Sequence, residues 1–120
     1  PTMDGRIFHL QKQILENPDQ DWTIEQMSEI AGLSVPHFQK LFKSNTGKPP
    51  VAYLQDLRLE KARELLETTF LQIQEIRTKV GMPHDSHFTR DFKKKYGIPP
   101  TEYRKLFWEK IQAEEQDGKK

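Results

Sequence analysis

The sequence predicts an all-α fold: seven helices forming two helix-turn-helix subdomains joined by a long linker helix. Three observations carry this. Apolar residues recur at spacings of three and four along most of the chain, and sustained apolar alternation is missing. Cap-forming Ser and Thr, and helix-ending Gly, stand at the breaks between those runs. Finally, the stretch 24–53 is repeated, with substitutions, at 73–103.

The elements follow in chain order. Residues 4–17 read as a first helix, with Ile7, Leu10, Ile14 and Leu15 towards one face, broken by "NPDQD". The second helix has a full start signal. Thr23 can cap, Gln26 completes a capping box, and Trp22 and Met27 stand where a hydrophobic staple would. It carries Ile24, Met27, Ile30 and Ala31 and stops at Gly32. Ser34 can cap the third helix, whose inward face is Phe38, Leu41 and Phe42 and whose end is Gly47. Pro49 and Pro50 restart the chain as a fourth helix over 50–68, because proline suits a first turn and needs no donor there. Its apolar members are Val51, Leu54, Leu57, Ala62, Leu65 and Leu66. A fifth helix spans 72–80 with Ile73, Ile76 and Val80, and a sixth spans 85–96 with Phe88 and Phe92. A seventh follows Pro100, with Tyr103, Leu106 and Phe107. The closing "AEEQDGKK" reads as a frayed tail. The expected organisation is a first subdomain at 6–50, a linker helix at 51–69, a second subdomain at 70–108 and a tail at 109–120.

Composition narrows the function. With 120 residues, 34% hydrophobic and 31% charged, the chain can build a thin core but not a large buried active-site cavity. It has no cysteine, which excludes disulfides, zinc–thiolate sites and a thiol nucleophile and fits a cytoplasmic protein. No apolar run approaches the ~18–20 residues of a membrane span, and no signal peptide opens the sequence. The opening "PTMDGR", with its methionine third, reads as a mid-chain cut. A net charge of +1 conceals segregation. Residues 1–33 are acidic, whereas 34–48 hold Lys40, Lys43 and Lys48 with no acid, and 72–100 are again basic. Such islands suit a polyanionic partner, although charge alone equally fits solvated helix faces.

The repeat decides between these. Ile24, Met27 and Gly32 align with Ile73, Ile76 and Gly81 at an offset of 49. After one inserted residue in the turn the offset is 50, aligning Phe38 with Phe88, Lys40 with Arg90, Phe42 with Phe92 and Lys43 with Lys93. "GKPP" then falls on "GIPP", and Tyr53 on Tyr103. Two copies are too few for a solenoid. The unit is a short helix, a glycine turn and a second helix, the layout of a DNA-reading helix-turn-helix. Its second helix needs an apolar face to dock and a polar face to read. Pro36, Gln39, Lys40 and Lys43 form the outward face of the first copy; Asp85, Ser86, Thr89, Arg90 and Lys93 form that of the second. Gln can pair an adenine edge, and Arg or Lys a guanine edge. Both basic islands thus coincide with reading helices. The fourth helix, at ~1.5 Å per residue, is ~30 Å long. That is close to the ~34 Å of one duplex turn between half-sites.

The motifs "TIEQMSEIAGLS", "HFQKLFKSNTG", "PPVAYLQDLRLEKARELLETT", "QIQEIRTKVGM" and "HFTRDFKKKYGIPPTEYR" resemble the DNA-binding domain of the AraC/XylS family of bacterial transcription regulators, over residues 6–107. The last motif is the most specific, through Phe88, Arg90, Phe92, Lys93, Gly97, Pro100, Tyr103 and Arg104. The resemblance implies a monomeric domain whose two helix-turn-helix units enter successive major grooves of double-stranded DNA to regulate transcription. It implies base contacts at Pro36, Gln39, Lys40, Asp85, Ser86 and Arg90. Phosphate contacts are expected at Ser34, Lys43, Lys48, His84, Thr89, Lys93 and Lys94. It also implies a sensor or receiver domain upstream and RNA polymerase as a partner. Three positions depart from this pattern. Pro36 can offer a base only an apolar contact, Asp85 is expected to cap its helix or meet a cytosine, and Asp91 to pair with Lys94 or Lys95.

Other chemistries fit poorly. His84, Asp85, Ser86 and His87 are neighbours on one helical turn and cannot converge as a catalytic triad. The four histidines have no metal-ligand spacing, and there is no phosphate-cradling glycine loop, so no cofactor is expected. The remaining alternative is a helical adaptor docking on the transcription machinery.

Overall fold

The computed structural model describes residues 3–118. Among these it contains seven helices and no strand: α1 Gly5–Glu16, α2 Ile24–Ala31, α3 Val35–Thr46, α4 Pro50–Thr68, α5 Ile73–Val80, α6 Asp85–Tyr96 and α7 Pro100–Gly118. The chain divides within α4 into two compact units, Pro1–Arg58 and Leu59–Lys120. The segment read as a linker is therefore shared between them.

In the first unit, Ile7, Leu10 and Ile14 of α1 are buried at the three-and-four spacing that made α1 legible. They meet Met27 and Ala31 of α2, Phe38 and Phe42 of α3, and Leu54 of α4. Each fully buried phenylalanine or leucine contributes about 2–3 kcal/mol of transfer free energy, so this single layer is the unit's main source of stability. Thr23 Oγ1 accepts from the Gln26 amide at 3.0 Å and starts α2. Trp22, just ahead of that cap, is buried and donates its indole N–H to the Asn17 carbonyl at 2.9 Å. Arg58 completes the unit by donating to the Pro18 and Gln20 carbonyls at 2.9 and 2.8 Å, which ties the "NPDQD" break to α4. Burial holds that guanidinium below its ordinary pKa.

The second unit repeats the plan. Ile76 and Val80 of α5 and Phe88 and Phe92 of α6 are buried with Leu59, Ala62 and Leu66 of α4. α7 packs on this core through the half-buried Tyr103. Its Arg104 donates to the Leu66 carbonyl at 3.2 Å, Leu71 at 2.6 Å and Thr69 at 3.1 Å, with a longer contact to Leu65 at 3.4 Å. The Leu65 carbonyl also accepts from the Thr69 amide and hydroxyl, whereas the Leu66, Thr69 and Leu71 carbonyls stand at the open end of α4 and in the turn after it, where helix carbonyls lose their intrahelical partners.

Five details differ from the sequence reading. Leu15, Val51 and Leu106 are exposed, at 43%, 60% and 53%. Leu59, not singled out by spacing, is buried at 3%. The segment 109–118, read as a loose tail, continues α7. Its run "EKIQAEEQ" is composed of good helix formers, which favour continuing a helix already started.

Candidate nucleic-acid interface

The two candidate reading helices are held in the same way. Phe38 and Phe42 lie one turn apart on α3, ring centroids 5.6 Å apart and tilted by 54°. Phe88 and Phe92 on α6 are 5.8 Å apart and tilted by 48°. All four are fully buried. Behind each pair stands the tyrosine that follows the double proline. Tyr53 meets Phe42 edge-to-face at 5.1 Å and 82°, and Tyr103 meets Phe92 edge-to-face at 5.6 Å and 82°. Both helices end at a glycine with positive φ, 84° at Gly47 and 88° at Gly97. An L-residue with a Cβ rarely adopts that conformation, so the chain can leave the helix abruptly and start the next at Pro50 or Pro100.

Anchoring by one face leaves the other face exposed. On α3, Pro36, Gln39, Lys40 and Lys43 are all exposed. On α6, Asp85, Ser86, Arg90, Lys93 and Lys94 are exposed, and Thr89 is half-buried. Ser34 accepts from the His37 amide at 3.4 Å as the cap of α3. Its hydroxyl keeps a proton to donate. Lys48 is exposed but forms an ion pair with Asp56. Arg90 donates from Nε to Asp91 Oδ1 at 3.1 Å, which leaves its two terminal amino groups for another acceptor. Asp91 thus meets the arginine beside it, in addition to any lysine one turn on.

Asp85 does not cap α6. His84 occupies the cap position without a side-chain hydrogen bond, and Asp85 is the first helical residue. The reason is the longer turn, which puts Pro83 and His84 between Met82 and the helix. The Asp85 carboxylate accepts from the Thr89 hydroxyl at 3.4 Å and lies 3.8 Å from Arg77 Nε. His84 and His87 stand with ring centroids 5.5 Å apart.

Sequence reading missed Arg77. Its side chain is only 13% exposed, and Nη1 donates to the Pro83 carbonyl at 2.5 Å. The repeat aligns Arg77 with Ser28 at the offset of 49, which marks a difference between the copies but not what the arginine reaches.

Among the described residues, no group of three or more His, Asp or Glu side chains is arranged to hold a metal ion. No described helix is long and apolar enough to cross a membrane.

A helix-turn-helix domain model matches residues 27–106. The HTH-type transcriptional regulator MtrA of Neisseria gonorrhoeae is 33% identical over 102 residues, covering 85% of this chain and 34% of that protein. The chain therefore spans about a third of the length of the curated relative it matches. The C-terminal domain of AraT, a response regulator from Geobacillus stearothermophilus, superimposes with a TM-score of 0.81 at 30% identity, covering 88% of each chain. The DNA-binding domain of AdpA, solved with a target DNA, gives a TM-score of 0.83 over 87% of this chain and 94% of that one. At 24% identity that likeness is one of fold.

Proposed function

This chain belongs to the AraC/XylS family of helix-turn-helix transcription regulators, and from that premise we propose that it binds double-stranded DNA sequence-specifically. α3 and α6 act as reading helices in successive major grooves. The family is one of DNA-binding regulators, not of enzymes. The observation that carries the reading is the matched pair of aromatic anchors, each leaving one polar, exposed helix face. A helix held from one side only is what groove entry requires.

On this reading Arg90 grips a guanine edge through its terminal amino groups, Gln39 pairs an adenine edge, and Lys40 takes a guanine. Pro36 rests on a thymine methyl, and Ser86 and Asp85 complete the second contact set. Ser34, Lys43, Lys48, His84, Thr89, Lys93 and Lys94 hold phosphates and set the register. Lys48 exchanges Asp56 for a phosphate or bridges the two. The larger protein, of which this is the C-terminal output part, regulates transcription in the cytoplasm. It takes its signal from an upstream sensor or receiver domain and acts on RNA polymerase, and the domain itself binds as a monomer.

The test is selection from a random-sequence duplex pool, repeated across salt concentrations. A consensus with two separated half-sites is expected, with affinity falling by about 10³ or more between 50 and 200 mM salt. A chain that retains no duplex at low salt would leave the helical adaptor as the better reading.

A further inference from the structure

The two copies of the reading unit differ most where the turn meets the reading helix. In the first copy one residue, Leu33, separates Gly32 from the cap Ser34, whose hydroxyl accepts a first-turn amide. In the second copy two residues, Met82 and Pro83, separate Gly81 from His84, which makes no cap bond. The same α-helix position faces both turns. The Ser28 carbonyl accepts from Leu33 at 3.0 Å, and the Arg77 carbonyl accepts from Met82 at 2.9 Å. Ser28 is buried, and its hydroxyl donates back to the Glu25 carbonyl of its own helix at 2.9 Å. Arg77 instead reaches across the turn to Pro83 and to Asp85. Its buried Nε makes no hydrogen bond among the described residues and lies 3.8 Å from Asp85 Oδ1.

We propose that Arg77 is a positioning residue for the second reading helix. By holding the Pro83 carbonyl and the Asp85 carboxylate it braces the turn that leads into α6, where no side chain caps the helix, and fixes Asp85 to accept from a cytosine amino group. A free aspartate on this face would repel phosphates. Beside the guanidinium its charge is offset, while the side chain stays 74% exposed. Both carboxylate contacts fall on Oδ1, from Arg77 and from the Thr89 hydroxyl, which leaves Oδ2 to meet a base. A carboxylate pairs naturally with the cytosine N4 amino group. The base-reading half rests on the DNA-binding function proposed above; the positioning half does not.

Two measurements separate these halves. In the free 120-residue chain, Arg77→Met removes the guanidinium and keeps the aliphatic stem. Amide hydrogen exchange of Phe88, bonded to the His84 carbonyl at 3.0 Å, is expected to quicken about tenfold, as local loosening of the turn and the first helical turn would cause. Exchange of Phe38 in the first copy should not change. Unaltered exchange at Phe88 overturns the positioning role. If Arg77→Met unfolds the second unit, Arg77→Lys is read in its place, since it keeps the charge but cannot span both partners. The second measurement uses duplexes selected by the wild-type chain. Arg77→Met should lower the preference for cytosine at one position about tenfold, and Asp85→Asn should remove it. The double variant should be no less selective than Asp85→Asn alone. Retained cytosine preference in Arg77→Met refutes the base-reading half. A wild-type chain that selects no duplex removes that half together with the proposed function, and the exchange data still decide the other.

Discussion

Replacing Arg104 by methionine tests how α7 is tied to the end of α4. The guanidinium makes three hydrogen bonds of 3.2 Å or shorter, to the Leu66, Leu71 and Thr69 carbonyls. At about 1 kcal/mol net for each bond, the loss would be about 3 kcal/mol. Arg104 is half-buried, so water can reach some of the released carbonyls, which reduces the expected cost to about 2 kcal/mol. For a unit of this size that lowers Tm by roughly 8–16 °C. The two tryptophans fall one in each unit, Trp22 in the first and Trp108 in the second. Urea unfolding followed by Trp108 fluorescence, in a Trp22→Phe background, therefore reports the second unit alone. Arg104→Lys keeps the charge but not the planar fork and should recover less than half of the loss. A cost below about 0.5 kcal/mol for Arg104→Met would mean that water serves these carbonyls equally well. Wild-type stability in Arg104→Lys would mean that the fork geometry is irrelevant.

Further outcomes are expected. Arg90→Ala should relax specificity at one base position, whereas Lys93→Ala should weaken all duplexes alike and reduce the salt slope by about 1; competition binding across salt distinguishes them. Tyr103→Phe removes a 2.5 Å hydrogen bond to Glu67, a carboxylate also held by Arg63 at 3.0 Å, and should cost about 1.5–3 kcal/mol. Tyr53→Phe loses only a 3.1 Å bond from the neutral Gln11 and should cost about 0.5–1 kcal/mol in the same denaturation series. Burial, and then the Glu67 bond, push the Tyr103 phenol above its ordinary pKa of 10.0. Its contribution is therefore complete below pH 10.0 and is lost as pH rises through the higher folded value, so alkaline unfolding should be flatter in Tyr103→Phe. Gly97→Ala should cost about 1–2 kcal/mol from backbone conformation alone, because nothing lies within 4 Å of an added Cβ. Thermal melts should give Gly97→Asn a smaller loss, since asparagine tolerates this region.

Helix positions were legible because each carries a local signal. Pro50 opens α4 and Asp85–Tyr96 is bounded by the turn and Gly97, so those elements stand where spacing and punctuation put them. Burial along α4 was less legible, because a single-stripe reading assumes one core. This helix serves two: Leu54 joins the first cluster, and Leu59, Ala62 and Leu66 join the second. Leu59 was missed for that reason. Val51, one residue into α4, fits the apolar spacing but is left in solvent. The outward faces of α3 and α6 were readable by elimination once Phe38, Phe42, Phe88 and Phe92 were assigned inward. Arg77 was not, since an arginine on a short amphipathic helix reads as solvated. Only the three-dimensional turn brings Pro83 and Asp85 within its reach. Asp85 was misread as a cap because residue type at a helix start does not by itself say which of two neighbours lies outside the helix.

The one-sided aromatic anchors separate two tasks that most side chains perform together. Phe38, Phe42 and Tyr53 decide whether α3 stays folded, and Pro36, Gln39 and Lys40 have no part in that core. Single substitutions on the outer face of α3 can therefore accumulate with little thermodynamic penalty, and a new binding preference can evolve before the old scaffold has to change. α6 is less free. Its first outer residue is tied through Arg77 to the turn that supports the helix, so a change at Asp85 also disturbs its own support. The first copy is thus the more adaptable half of the duplication, and the second the more constrained.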